Sequence, residues 1–185
     1  NSAEQAKAYG KLMHGTIQAL RDMQHPTVAM IHGICVGGGL EVAGLCDIRI
    51  CGESSRFGAP ISKLGLVMAY PEISCLRDLV GAGKALEILL EGRIMPADEA
   101  YNLGIVSRVV YDDQVANEAM ATARRVAGGA PLVHRWHKKF LARLEDPAPL
   151  SDGERDEGFA CYDTEDFQIG YKAFLDKATP KFKGR

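Results

Sequence analysis

Ile31-His-Gly-Ile-Cys-Val-Gly-Gly-Gly-Leu-Glu-Val-Ala-Gly-Leu-Cys-Asp47 decides how this 185-residue chain is read. Before it runs Thr27-Val-Ala-Met-Ile31, short, apolar and partly β-branched, the pattern of a buried strand. Three consecutive glycines, Gly37-Gly38-Gly39, then lead into a short helix ending near Cys46. Asp47-Ile-Arg-Ile-Cys51 follows as a second strand, and Gly52 breaks it. The segment is therefore a strand, a glycine turn, a helix and a strand, the unit from which α/β folds are built.

That turn also has chemical potential. The first N–H groups of a helix lack intrahelical acceptors and lie at the positive end of its dipole. Glycines let a substrate oxygen approach them with no Cβ in the way. Glu41 comes three residues after Gly38, so the two share a helix face. One segment can thus set a backbone donor for an oxyanion beside a carboxylate that moves a proton. The same pattern is also what a plain tight turn with a dipole-favoured acid looks like. On its own the segment nominates Gly38 and Glu41 and does not assign them.

Outward from this centre the pattern is mostly helical. Residues 4–23 carry Tyr9, Leu12, Met13, Ile17 and Leu20 at helical spacing, and Pro26 ends that run. Arg56 to Tyr70 reads as turns with short strands. Helices are expected at Pro71–Leu79, Ala85–Leu90 and Pro96–Leu103, the last capped by Gly104. Ile105–Val110 reads as a strand and Val115–Val126 as a helix. From Pro131 the chain is wholly helical: one helix to about Glu145, a break at Pro147 and Pro149, then helices near 151–162 and 165–176. The class is α/β with a helical C-terminal region. A boundary at Gly128-Gly129 gives a core of 1–128 and a helical region of 129–185.

Composition narrows the function. The formal net charge is −2, with acids and bases interspersed, so no nucleic-acid surface is expected. No apolar run approaches the ~20 residues of a membrane helix. Five cysteines, none in a C-x-x-C pair, read as reduced thiols of a cytoplasmic protein. Lys84 is followed by Ala85, so Gly83-Lys84 is no phosphate-binding loop, and Gly37-Gly38-Gly39 does not continue as G-x-G-x-x-G. H-E-x-x-H and G-x-S-x-G are absent. His134 and His137 share a helix face without an acidic partner, and no metal site is expected.

Several separated motifs, in order along nearly the whole chain, resemble the enoyl-CoA hydratase/isomerase (crotonase) family. They are Pro26-Thr-Val-Ala-Met-Ile-His-Gly33, Gly37-Gly-Gly-Leu-Glu-Val-Ala43, Cys46-Asp-Ile48, Arg56-Phe-Gly-Ala-Pro60 and Leu64-Gly-Leu66. Gly83 to Arg93, Ala97-Asp-Glu-Ala100, Leu103 to Val110, Glu165 to Gly170 and Phe182-Lys-Gly184 continue the match. The resemblance implies a spiral core of repeated ββα turns with a helical C-terminal trimerisation region. It implies a homotrimer or dimer of trimers acting on an acyl-CoA thioester. Coenzyme A is then part of the substrate, and no other cofactor is needed. By motif position Gly38 offers an oxyanion N–H, with Gly37 beside it, and Glu41 is one of the two glutamates of hydratases. Tyr70 joins the substrate-binding set. Lys181 and Lys183 of the basic tail are candidates for the phosphates of the CoA nucleotide.

The pattern departs from the family at two places. The resemblance implies that the chain begins inside the family domain, after the part carrying a second oxyanion N–H and an adenine-binding stretch. The second glutamate of hydratases falls at Ile61, and the acid of isomerase relatives falls near Ala69. Neither is a carboxylate. Tyr70 and Glu72 are the two candidates for a second proton-handling group. Hydration or isomerisation of an enoyl-CoA is the expected reaction. Another chemistry of the family (decarboxylation, thioester hydrolysis, carbon–carbon cleavage) and a non-catalytic CoA-binding subunit are the alternatives.

Overall fold

The computed structural model describes residues 2–185, and they form two compact units. The first comprises residues up to Met23 together with Thr27–Ala121. The second comprises Gln24–Pro26 and Thr122–Arg185.

The first unit opens with α1 (Ala3–Arg21), started by a capping box in which Ser2 and Gln5 satisfy each other's backbone N–H groups. Next come β1 (Val28–Ile31) and β2 (Ile34–Val36), with only His32 and Gly33 between them. The two do not pair. Strand β1 lies parallel to β3 (Ile48–Gly52), and β2 lies parallel to β4 (Arg56–Gly58). Each β-β step therefore turns a corner from one sheet to another. Helix α2 (Gly38–Leu45) then returns the chain for the next turn.

Register records the repeat. Val28 sits opposite Ile48 and Ile34 opposite Arg56, so successive turns are offset by 20 and 22 residues. A 3₁₀ turn (Pro60–Leu64) and α3 (Tyr70–Glu91) complete the second turn. Helices expected at 71–79 and 85–90 form one element interrupted at Gly81, whose φ of 76° and ψ of 160° are not helical. Strand β5 (Met95–Pro96) joins the second sheet antiparallel to β4. After α4 (Ala97–Asn102), β6 (Arg108–Val110) pairs parallel to β3. The sheets are thus β1-β3-β6 and β2-β4-β5. This is a ββα spiral.

Side chains lock the turns. Asp47 accepts from the Thr27 N–H at 2.7 Å and from its hydroxyl at 2.9 Å, fixing the start of β3 against the start of β1. Arg49 donates to the Ile105 carbonyl at 2.7 Å and to the Cys46 carbonyl. Gly52 has no side chain because Asp112 occupies that space: an added Cβ would lie 2.1 Å from Asp112 Oδ1. Asp112 in turn accepts from the Ser54 N–H at the β3–β4 corner. Phe57, Met95 and Ile105 are fully buried at the centre of the core, among Ile31, Leu40, Leu76 and Ile88.

The second unit is helical. Helix α5 (Val115–Ala127) ends in it, followed by α6 (Pro131–Arg143), α7 (Asp152–Glu157), a 3₁₀ turn (Ala160–Asp163) and α8 (Glu165–Leu175). The helix expected over 151–162 is split at Gly158, where the cap N–H bonds back to Asp156. Asp166, 2% exposed, clamps the tail by accepting from the Lys183 N–H at 2.6 Å and the Gly184 N–H at 2.9 Å.

Candidate functional site

The glycine turn forms the centre of the candidate site. Gly37 is the N-cap of α2, with φ 52° and ψ −124°, a backbone conformation side-chain-bearing residues rarely hold. Its N–H is spent on the Gly58 carbonyl at 3.0 Å, which ties the turn to the end of β4. Its carbonyl takes the first intrahelical bond, from the Glu41 N–H at 3.0 Å. The amides of Gly38, Gly39 and Leu40 precede that bond and so have no acceptor within the helix. No side chain caps α2. Gly38 and Gly39 are exposed, and a Cβ added at either would touch nothing within 4 Å. The helix thus opens onto free space with donors and the positive end of its dipole.

Glu41 lies one turn into α2 and is half-buried. Burial, and secondarily the charge of Glu72, hold its carboxyl above the usual glutamate range. Such a carboxyl is better placed to carry a proton near neutrality than an exposed one.

Glu72 comes from the first turn of α3. Its side chain is 12% exposed, and Oε1 lies 3.5 Å from His14 Nε2 of α1. Its Oε2 is buried without a hydrogen-bond partner. Helices α1, α2 and α3 pack on one another, so residues far apart in sequence meet beside the glycine helix.

The remaining candidates are placed as follows. Tyr70 starts α3 and is 92% exposed. Ile61 packs against the hydrophobic core from the 3₁₀ turn, an apolar environment for an apolar side chain. Leu64, Leu66 and Val67, between that turn and α3, are exposed. Lys181 and Lys183 belong to the second unit. There Lys181 is exposed, and the Lys183 ammonium is paired with Glu165, which also accepts from Arg185 at 2.6 Å. Sequence reasoning missed His14, because nothing local marks a residue whose partner lies 58 positions away. Among the described residues, no group of three or more His, Cys, Asp or Glu could hold a metal ion, and no helix is long and apolar enough to cross a membrane.

Known proteins share both sequence and geometry with this chain. The profile of the enoyl-CoA hydratase/isomerase family matches residues 1–185. A probable enoyl-CoA hydratase of Mycobacterium tuberculosis is 34% identical over 183 residues, covering 97% of this chain and 71% of the relative. A crotonyl-CoA hydratase of Syntrophomonas wolfei is 31% identical over 98% of this chain and 70% of its own length. Among solved structures, an enoyl-CoA hydratase/carnithine racemase from Magnetospirillum magneticum superposes with a TM-score of 0.95 at 50% identity, over all of this chain and 69% of that one. An enoyl-CoA hydratase from Bacillus anthracis superposes at 0.91 with 29% identity, over all of this chain and 72% of that one.

Proposed function

The chain belongs to the enoyl-CoA hydratase/isomerase family, and from that premise we propose that it adds water to an enoyl-CoA through an enolate held at the start of α2. The carrying observation is the uncapped amide of Gly38 with Glu41 one turn on. The thioester oxygen accepts from the Gly38 N–H. Water oxygen bonds to Cβ, the π electrons move through Cα onto the thioester oxygen, and the water proton passes to a carboxylate. The enolate then takes a proton at Cα, restoring the carbonyl. Donors fixed before the reaction stabilise the developing oxyanion without reorganising.

Glu41 moves a proton in this cycle, and its raised affinity for one suits the task. Tyr70, exposed at the start of α3, contacts the acyl-CoA. Lys181, exposed, offers its ammonium to a CoA phosphate, while Lys183 holds the tail in place through Glu165. Residues 129–185 serve assembly into a homotrimer or dimer of trimers. Coenzyme A enters as part of the substrate, no further cofactor takes part, and the setting is cytoplasmic, where the five free cysteines stay reduced.

A panel of enoyl-CoAs assayed with the full-length protein tests the reading. Glu41→Gln should lower kcat by about 10²–10⁴-fold, the usual contribution of a positioned acid or base. Equal turnover by both proteins removes Glu41 from the mechanism. The apolar Ile61 favours one second reading, a different crotonase chemistry that needs a single carboxylate. Malonyl-type and 3-hydroxyacyl-CoAs, followed by mass spectrometry, separate the two: decarboxylation, hydrolysis or cleavage in place of water addition selects the second.

A further inference from the structure

Hydration needs two proton transfers, one from water and one to Cα. The family position for the second carboxylate is filled here by Ile61, which packs on the core. Glu72 lies on the first turn of α3, a helix that packs against α2, and its charge acts on Glu41. We infer that Glu72, steered by His14, is the second proton-handling carboxylate of this enzyme.

A buried acid kept only for structure meets its oxygens with protein donors. Asp166 in the same molecule is the control, since its two oxygens accept from Lys183 and Gly184. Glu72 uses one. Oε1 faces His14 Nε2 at 3.5 Å, and Oε2 is buried with no partner. Leaving a buried carboxylate oxygen unbonded costs free energy, and functional groups are where such costs persist. Arg21, which α1 also turns toward α3, is committed to Ser74 at 2.8 Å and Asp78 at 3.4 Å. Glu72 is therefore faced by His14 from α1 and, through space, by Glu41 from α2.

The assignment rests on the hydration reading and completes it. Water gives its proton to one member of the Glu41–Glu72 pair, and the other member gives its proton to Cα. The pair ends with as many protons as it began, and a proton exchange between the two resets it. Two neighbouring carboxylates whose environments differ are the usual source of one acid and one base at the same pH. His14 is a positioning residue: it holds Oε1 and leaves Oε2 without a partner.

Full-length Glu72→Gln, its double variant with Ile61→Glu, and Glu41→Gln are compared on crotonyl-CoA across pH 5–9. Glu72→Gln should lose about 10²-fold or more in kcat, with KM changed less than about threefold. Its acidic limb should move to lower pH, because Glu41 no longer faces a second negative charge. Ile61→Glu in that background should restore at least a tenth of wild-type kcat by returning an acid to the family position. If Glu72→Gln does not fold, Glu72→Asp, which keeps the charge and withdraws it by one methylene, should lose about tenfold with the same unchanged KM. Wild-type kcat in whichever variant folds, with an unmoved pH profile, overturns the inference while leaving Glu41 chemistry intact. Wild-type kcat in Glu41→Gln overturns the hydration reading itself.

Discussion

Gly37→Ala isolates the backbone geometry on which the site depends. The glycine holds φ 52° and ψ −124°, and a Cβ there would touch nothing within 4 Å. Any cost therefore comes from the dihedral angles and not from a clash. Forcing a side-chain-bearing residue into such a region costs about 1–3 kcal/mol. For a chain of this size that lowers Tm by roughly 2–12 °C. Gly39, two residues on, is the matched control. It is helical, with the same open space at Cβ, so Gly39→Ala should be neutral or stabilising by up to about 1 kcal/mol. The alternative to strain in Gly37→Ala is relaxation, which would rotate the Gly37–Gly38 peptide and turn the Gly38 N–H off line. Losing one oxyanion donor is worth about 10²–10³ in kcat. Thermal unfolding and enoyl-CoA turnover of both variants are the assays. Indistinguishable Tm and kcat for Gly37→Ala and Gly39→Ala would refute the claim that this turn is held in a glycine-only conformation to aim the next amide.

Two further outcomes follow from the electrostatics and the tail. The carboxyl of Glu41 is held above its ordinary 4.5 in the folded protein, so the stability it contributes is full below that value and is lost as pH rises through the folded value. Glu41→Gln should accordingly raise Tm at pH 7 and lose that advantage below about pH 4.5, as thermal scans across pH would show; an equal difference at both pH values would contradict the shift. Asp166→Ala strips the acceptors from Lys183 and Gly184 in a buried place, which should cost about 1–3 kcal/mol and speed amide exchange and proteolysis at the C-terminal tail, leaving exchange in β1 and β3 unchanged.

Much of the arrangement was legible because it is local. The alternation of short apolar strands with the glycine helix identified β1, α2 and β3, and the resemblance of separated motifs implied the spiral. Strand β2 was not legible. Ile34 to Val36 is three residues long, sits two residues after β1 and pairs with β4 in a different sheet, so it leaves no periodic signal. The gap left between helices at 71–79 and 85–90 does contain the interruption at Gly81, but the helix resumes directly after it, since a single glycine breaks the dihedral pattern without ending the element. One segment nominates Gly37, Gly38 and Glu41, and the structure sets all three at the start of one helix. Lys183 reads differently in the fold, where Glu165 occupies its ammonium. The His14–Glu72 contact depends on how three helices pack, and pattern within any one of them does not encode it. The motif residue Asp47 proves to fix β1 against β3.

Infrared difference spectroscopy of a bound enoyl-CoA reports most directly on whether the amides opening α2 polarise the thioester. With the full-length protein, the carbonyl stretch should fall to lower wavenumber than that of the free ester in water. Glu41→Gln should preserve the shift, because the donor is backbone, and Gly37→Ala should diminish it. A bound ester whose carbonyl absorbs where the free one does would contradict an oxyanion site at Gly38.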